Sequence, residues 1–289
     1  MRKILNMAVK IAICSTIIFI SNTNAQDLQA VTISEKAQEI LEKAEKGDRE
    51  AQVAIALLYK IGQDIEKSDT KAIYWYEKAA KQNEPTAQNN LASLYLDGDG
   101  VEQDIDKAKY WYEQAAAQDL SVAQYNLGLM YYNGLGGRVD LKKALVLFEK
   151  AAYNGDSDAQ VMLGTMYYKA QGVQRNYDQA ILWWQEAAEN NNPAAQYNLG
   201  LMYYKGAGVE QDYAQALNWY EKAAEQNFTA AFNNLGTMYE KGYGVVQDLE
   251  TAKWYFSRAC ENNHRKACNN LRILSGEEYQ QNNANSAKK

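Results

Sequence analysis

Seven alanines, Ala51, Ala87, Ala123, Ala159, Ala195, Ala231 and Ala267, stand 36 residues apart with no insertion or deletion between them. A second column holds Ala72, Ala108, Ala144, Ala180, Ala216 and Ala252. A third runs as pairs from Ala79-Ala80 to Ala223-Ala224 and closes on Ala259-Cys260. A fixed period of this length makes the chain an array of one supersecondary unit. A unit so short cannot bury an apolar face alone, so neighbours must stack into a continuous core. The register predicts six full units and a partial seventh over residues 51–274.

Each unit divides into two helices. In the third, Ala123, Leu127, Met130 and Tyr131 fall on one helical face. Gly134 and Gly136 then predict the helix end, because glycine enters the left-handed region most cheaply. Asp140 predicts the start of the second helix, and its column holds Ser68, Asp104, Asn176, Asp212 and Asp248. These are N-cap residues, whose side-chain oxygen accepts from a free backbone N–H. Asp212 with Gln215 and Asn176 with Gln179 resemble capping boxes. Along the second helix Ala108, Trp111, Tyr112, Ala115 and Ala116 set large side chains over small ones, and Trp75, Trp111, Trp183 and Trp219 share a column read as core. Pro85 and Pro193 fall in the turns before first helices. Only two prolines in 289 residues favour helices over loops. The expected fold is all-α, a right-handed α-solenoid of stacked helix pairs. Residues 26–50 hold a capping helix near 34–46, and 275–289 form a polar disordered tail.

Residues 1–25 read as a cleavable signal peptide. Arg2, Lys3 and Lys10 precede or open an apolar run over residues 11–20, and Thr23-Asn24-Ala25 supplies a small-residue cleavage site. Ten apolar residues span about 15 Å as a helix, short of the roughly 30 Å hydrocarbon core. Cys14 leaves with this segment. The rest carries 27 basic and 36 acidic residues, net −9, which argues against a nucleic-acid surface. The mature chain is expected to be periplasmic or secreted, with no membrane insertion after cleavage.

The run A-Q-x-N-L-G-x-M-Y, then G-x-G-V, then an N-cap Asp, then A-x-x-W-Y-E-K-A-A resembles the Sel-one-like repeat, a 36-residue relative of the tetratricopeptide repeat. The resemblance covers residues 51 to about 274. It implies a helix-pair solenoid serving as an adaptor or scaffold, often bacterial and exported. Roles in the family include envelope regulation, host-protein binding and, in a cysteine-rich branch, penicillin binding.

Catalysis finds little support in the residues. A single histidine, His264, excludes a two-histidine metal site and disfavours Ser-His or Cys-His chemistry; no cofactor is expected. Ser68-Asp69-Thr70-Lys71 matches S-x-x-K, but Ser68 stands in the N-cap column and the companion motifs are missing. A second match at 286–289 falls in the polar tail. Cys260 and Cys268 lie at facing ends of a helical hairpin, which in an oxidising compartment predicts a disulfide. A redox-active pair is the alternative. The spacing resembles the cysteine-rich branch, yet only the last unit has it, so lactam binding is not carried over.

One column is asparagine: Asn90, Asn126, Asn198, Asn234 and Asn270, with Ala54 and Met162 as exceptions. In tetratricopeptide-like solenoids this side of the first helix lines the concave groove. Tyr125, Leu129, Tyr132, Tyr168, Tyr197, Leu201 and Tyr204 surround it in the central units. An amide suits an extended peptide backbone, and tyrosine gives contact area with few rotamers to freeze. The other reading has the asparagines bonding within the repeat to order the stack. The expected function is binding of a protein or peptide partner. The rivals are a β-lactamase-like enzyme, a carbohydrate or peptidoglycan binder, and a periplasmic immunity protein.

Overall fold

The computed structural model describes residues 33–276. The expected signal segment with Cys14, and the tail beyond Gly276 with its 286–289 match, lie outside the described residues. A lone helix α1 (Glu35–Glu45) comes first. Six pairs follow: α2 (Arg49–Ile61) with α3 (Asp69–Lys81), α4 (Pro85–Asp97) with α5 (Ile105–Ala116), and α6 (Ser121–Asn133) with α7 (Leu141–Tyr153). Then come α8 (Ser157–Lys169) with α9 (Tyr177–Glu189), α10 (Pro193–Lys205) with α11 (Tyr213–Glu225), and α12 (Thr229–Lys241) with α13 (Leu249–Glu261). Helix α14 (Arg265–Leu274) stands as the first helix of a seventh unit. Among the described residues there is no strand, and the helix pairs stack as an α-solenoid.

The N-cap column does what its residue types dictate. Ser68, Asp104, Asp140, Asn176, Asp212 and Asp248 cap α3, α5, α7, α9, α11 and α13, each accepting from the amide three residues on. One such cap is worth about 1 kcal/mol. The reciprocal half of a capping box is not made at Asn176 or Asp212. Their own amides are already engaged, donating to the carbonyls of Tyr167 (3.1 Å) and Tyr203 (3.0 Å). That bond recurs at Ser68, Asp104, Asp140 and Asp248, so it fastens each loop to its first helix. Gly134 ends α6 at φ 71° in the left-handed region, as the glycine signal predicts.

Within a unit the two helices touch through a small-over-large pair. A Cβ built on Gly164 would lie 2.6 Å from Trp184 Nε1, and one on Gly200 would lie 2.6 Å from Tyr220. Glycine therefore lets each ring lie against the first-helix backbone. The deepest aromatic column is Tyr76, Tyr112, Phe148, Trp184, Tyr220 and Phe256, all buried. The tryptophan column expected as core lies one residue earlier and is mixed: Trp75 and Trp183 are buried, whereas Trp111 and Trp219 are half-buried. The reason is angular, since one residue turns the helix by about 100°.

Between units the fastening is polar. Gln52, Gln88, Gln124 and Gln160 are buried, and each donates its amide to a carbonyl eight residues earlier, on Ala44, Ala80, Ala116 and Ala152 (3.0–3.3 Å). The side-chain oxygens of Gln52, Gln88 and Gln196 accept in turn from Gln82 (2.8 Å), Gln118 (2.8 Å) and Gln226 (2.9 Å). A buried amide without partners costs about 1–3 kcal/mol, so this ladder fixes how one unit seats on the next. Helix α1 takes part, because the Ala44 carbonyl is the first acceptor; it fills the place of a second helix before the first unit.

At the far end the ladder changes chemistry. Phe232 replaces glutamine in the sixth unit and is buried. Cys268 replaces it in the seventh and is joined to Cys260, with Cα atoms 4.7 Å apart. First helices approach closely enough for Asn126 of α6 to bond Asn89 of α4 at 3.0 Å. Second helices α7 and α9 meet instead through the rings of Tyr153 and Trp183, with centroids 5.2 Å apart.

Candidate functional site

Tyr125, Leu129 and Tyr132 fall at i, i+4 and i+7 of α6, so they share one face; Tyr197, Leu201 and Tyr204 repeat the pattern on α10. Tyr168 holds the last of these three places on α8. All seven are half-buried. Each tyrosine leans on its own unit's second helix, Tyr197 also on the turn after it and Tyr204 also on the next unit's loop. Tyr125 and Tyr132 approach Phe148 at 5.8 and 6.4 Å between centroids. Tyr168 meets Trp184 and Tyr177, both at 5.7 Å. Tyr197 meets Tyr220 at 5.6 Å and Phe228 at 5.3 Å. Tyr204 meets Tyr213 at 5.4 Å and Tyr243 at 6.1 Å. These rings are pre-ordered, which lowers the entropy a ligand must overcome. Burial pushes the Tyr125 phenol up to about 12 and raises that of Tyr204, so both are neutral donors at physiological pH.

The asparagine column divides. Asn126 donates to Asn89 Oδ1 at 3.0 Å and Asn270 to Asn233 Oδ1 at 3.4 Å. Asn90 and Asn234 accept from Asn89 and Asn233, each at 3.2 Å. For these four the within-stack reading describes the geometry. Asn198 differs, because the residue 37 places before it is Val161 rather than asparagine. Among the described residues Asn198 makes no side-chain hydrogen bond. Its half-buried side chain lies on the same helix as Tyr197 and Leu201.

Other candidates are placed elsewhere. Ser68 accepts from the Lys71 amide at 3.3 Å as an N-cap, and the Lys71 ammonium stands 5.1 Å from the Tyr59 ring centroid. No cluster of His, Cys, Asp and Glu among the described residues is arranged to hold a metal ion. No helix among the described residues is long and apolar enough to cross a membrane. The glutamine ladder was not read from the sequence, although the A-Q dipeptide recurring every 36 residues carries its signal.

The Sel1 repeat matches residues 49–84, 85–120, 121–156, 157–192, 193–228 and 230–264. The chain belongs to the Sel1 repeat family. No curated protein matches it in sequence. Among solved structures it is similar to a protective antigen present in uropathogenic Escherichia coli strains that displays an SLR fold. The identity is 34% and the TM-score 0.77 over 84% of this chain and 52% of the other. The chain thus spans about half of that antigen's length. It is also similar to a Sel1 repeat protein from Oxalobacter formigenes, with 29% identity and a TM-score of 0.71 over 79% of this chain and 99% of that one. An immunity protein from Pseudomonas aeruginosa shares the fold at 21% identity and a TM-score of 0.50, over 80% and 82% of the two chains. The Sel1 register of the matched units agrees with the 36-residue columns, with each match ending in the turn before the next first helix.

Proposed function

We propose that this Sel1 repeat solenoid is an exported scaffold that binds a protein or peptide segment along the inner face of its first helices and performs no chemistry of its own. The observation that carries this reading is the stripe Tyr125–Leu129–Tyr132 on α6 continued by Tyr168 and by Tyr197–Leu201–Tyr204 on α10. It joins anchored rings and leucines to one unengaged amide, Asn198. Such a surface pairs contact area with backbone recognition. Neighbouring units are about 10 Å apart in packed helical arrays, so an extended strand at about 3.3 Å per residue meets one unit every third residue.

Peptides selected from a random displayed library on the purified protein, then titrated against variants, test this. Tyr168→Ala or Tyr204→Ala should weaken binding by about 2 kcal/mol if each is a hot spot. Retention of full affinity by both variants contradicts the groove. Export rests on the basic start, the apolar run over residues 11–20 and the small-residue site at Ala25. The intact mass of protein recovered outside the cytoplasm should lack residues 1–25; retained Met1 contradicts it.

A further inference from the structure

The last residues of the six first helices read Ile61, Asp97, Asn133, Lys169, Lys205 and Lys241. At this column the chain is neutral or acidic over the first three units and lysine over the last three. All three lysines are exposed, in a chain whose formal net charge is −6. Lys205 adjoins the aromatic stripe directly, its Nζ donating to the Tyr168 hydroxyl at 3.5 Å. Lys241 pairs with its neighbour Glu240 at 2.7 Å, and Lys169 makes no ion pair among the described residues.

A cation at a helix C-terminus is favoured by the helix dipole, yet that does not account for the row. The first helices α4 and α6 end on Asp97 and Asn133 without it. In the same three units the second helices α9, α11 and α13 end on Glu189, Glu225 and Glu261, against their dipoles. Helix stability therefore does not set the charge at these ends. The period supplies the rest of the argument. Lysines one unit apart are separated by about 10 Å, which matches acidic side chains three residues apart on a polyproline II strand, where every third residue returns to one face after about 9 Å.

We infer that the partner segment of the inner face is acidic and that its carboxylates lie along Lys169, Lys205 and Lys241, which fixes which end of the groove it occupies. This inference rests on the groove reading above and adds the partner's chemistry to it. The probes are fluorescein-labelled twelve-residue peptides of Glu-Ser-Val repeats, the same peptide with Lys or Gln in place of Glu, and a single-stranded oligothymidine. The first should bind the purified protein and weaken about tenfold or more when salt rises from low to several hundred millimolar. The triple variant Lys169→Glu, Lys205→Glu, Lys241→Glu should lose about tenfold or more, the combined effect of three exposed ion pairs. Reversing Lys142, Lys143 and Lys150 on the second-helix side should leave binding unchanged. Overturning results are no binding of the Glu peptide, equal binding of the Lys or Gln peptide, equal binding of the oligonucleotide, or indifference to the triple reversal. If library peptides lose affinity in Tyr168→Ala and Tyr204→Ala but are neither acidic nor sensitive to the lysine reversal, the acidic partner is wrong and the groove stands.

Discussion

Cys268 is bonded to Cys260 at the two columns where Gln124 donates to the Ala116 carbonyl in the third unit. Both links join residues eight apart across the same turn, so a covalent bond stands where a buried hydrogen bond stands elsewhere. Among the described residues no second helix follows α14 to offer a donor to a glutamine oxygen there. Reduction should therefore destabilise α13 and α14 by about 2–3 kcal/mol in the chain-entropy account. The double variant Cys260→Ala, Cys268→Gln should recover about 1 kcal/mol of that loss by remaking the rung. Hydrogen exchange checks this locally: amides of α14 should open faster on reduction while those of α8 stay unchanged, because solenoid contacts are nearest-neighbour. Faster exchange throughout the chain contradicts it.

One rung of the ladder leaves a buried oxygen without a donor among the described residues. That atom is Gln160 Oε1, and the residue in the donor column, Asn190, bonds the Glu186 carbonyl instead at 3.2 Å. In the same column Asn154 reaches Gln124 only at 3.4 Å, whereas Gln82, Gln118 and Gln226, one methylene longer, reach their acceptors at 2.8–2.9 Å. Asn190→Gln should thus raise stability by about 1 kcal/mol in urea melts. Gln124→Ala should lower it by about 1 kcal/mol, since it removes the bonds to the Ala116 carbonyl, which keeps the Asp119 amide as a donor, and to the exposed Asn154. A destabilising Asn190→Gln argues against the ladder as the inter-unit fastener.

The divided asparagine column predicts divided consequences. Asn126→Ala removes the 3.0 Å bond to Asn89 and should cost about 1 kcal/mol of stability. Asn198→Ala should leave the melting temperature where it is and weaken a groove-bound peptide by about 1 kcal/mol. Equal melting losses in both variants would make the whole column structural.

Alkaline pH should loosen the stack in a definite window. Burial raises Tyr76, Tyr112 and Tyr125 to about 12 from an ordinary value of 10.0. A raised folded-state value means that the unfolded chain releases these protons first. Their contribution is fully present below pH 10.0 and is lost as pH rises towards about 12. Urea midpoints should fall across that interval, and absorbance at 295 nm should show the buried phenols ionising together with unfolding. Complete ionisation near 10.0 with the fold intact contradicts the burial.

The repeat register made the helix pairs and caps legible, because an N-cap such as Asp104 or a terminator such as Gly134 acts through its own few residues. What escaped depends on contacts across units. The capping-box reading at Asp212 failed because its amide reaches back to Tyr203, nine residues earlier. The ladder Gln88–Ala80–Gln118 lies in a motif seen as a spacing rather than as a bond. Neighbouring columns decide Asn126 against Asn198: position 89 is asparagine and position 161 is valine, a difference visible in the sequence but meaningful only once α4 and α6 are known to touch.

The central claim is that partners dock on the inner, first-helix side, and it can be tested without knowing the partner. A photo-crosslinking phenylalanine analogue placed singly at Tyr132, Tyr168 or Tyr204 should give the same discrete adduct when the protein is irradiated in its native cells. Placed at Tyr74 or Tyr110, which are 50% and 51% exposed on second helices, it should give none. Adducts from Tyr74 and Tyr110, with none from the three inner positions, would contradict the account.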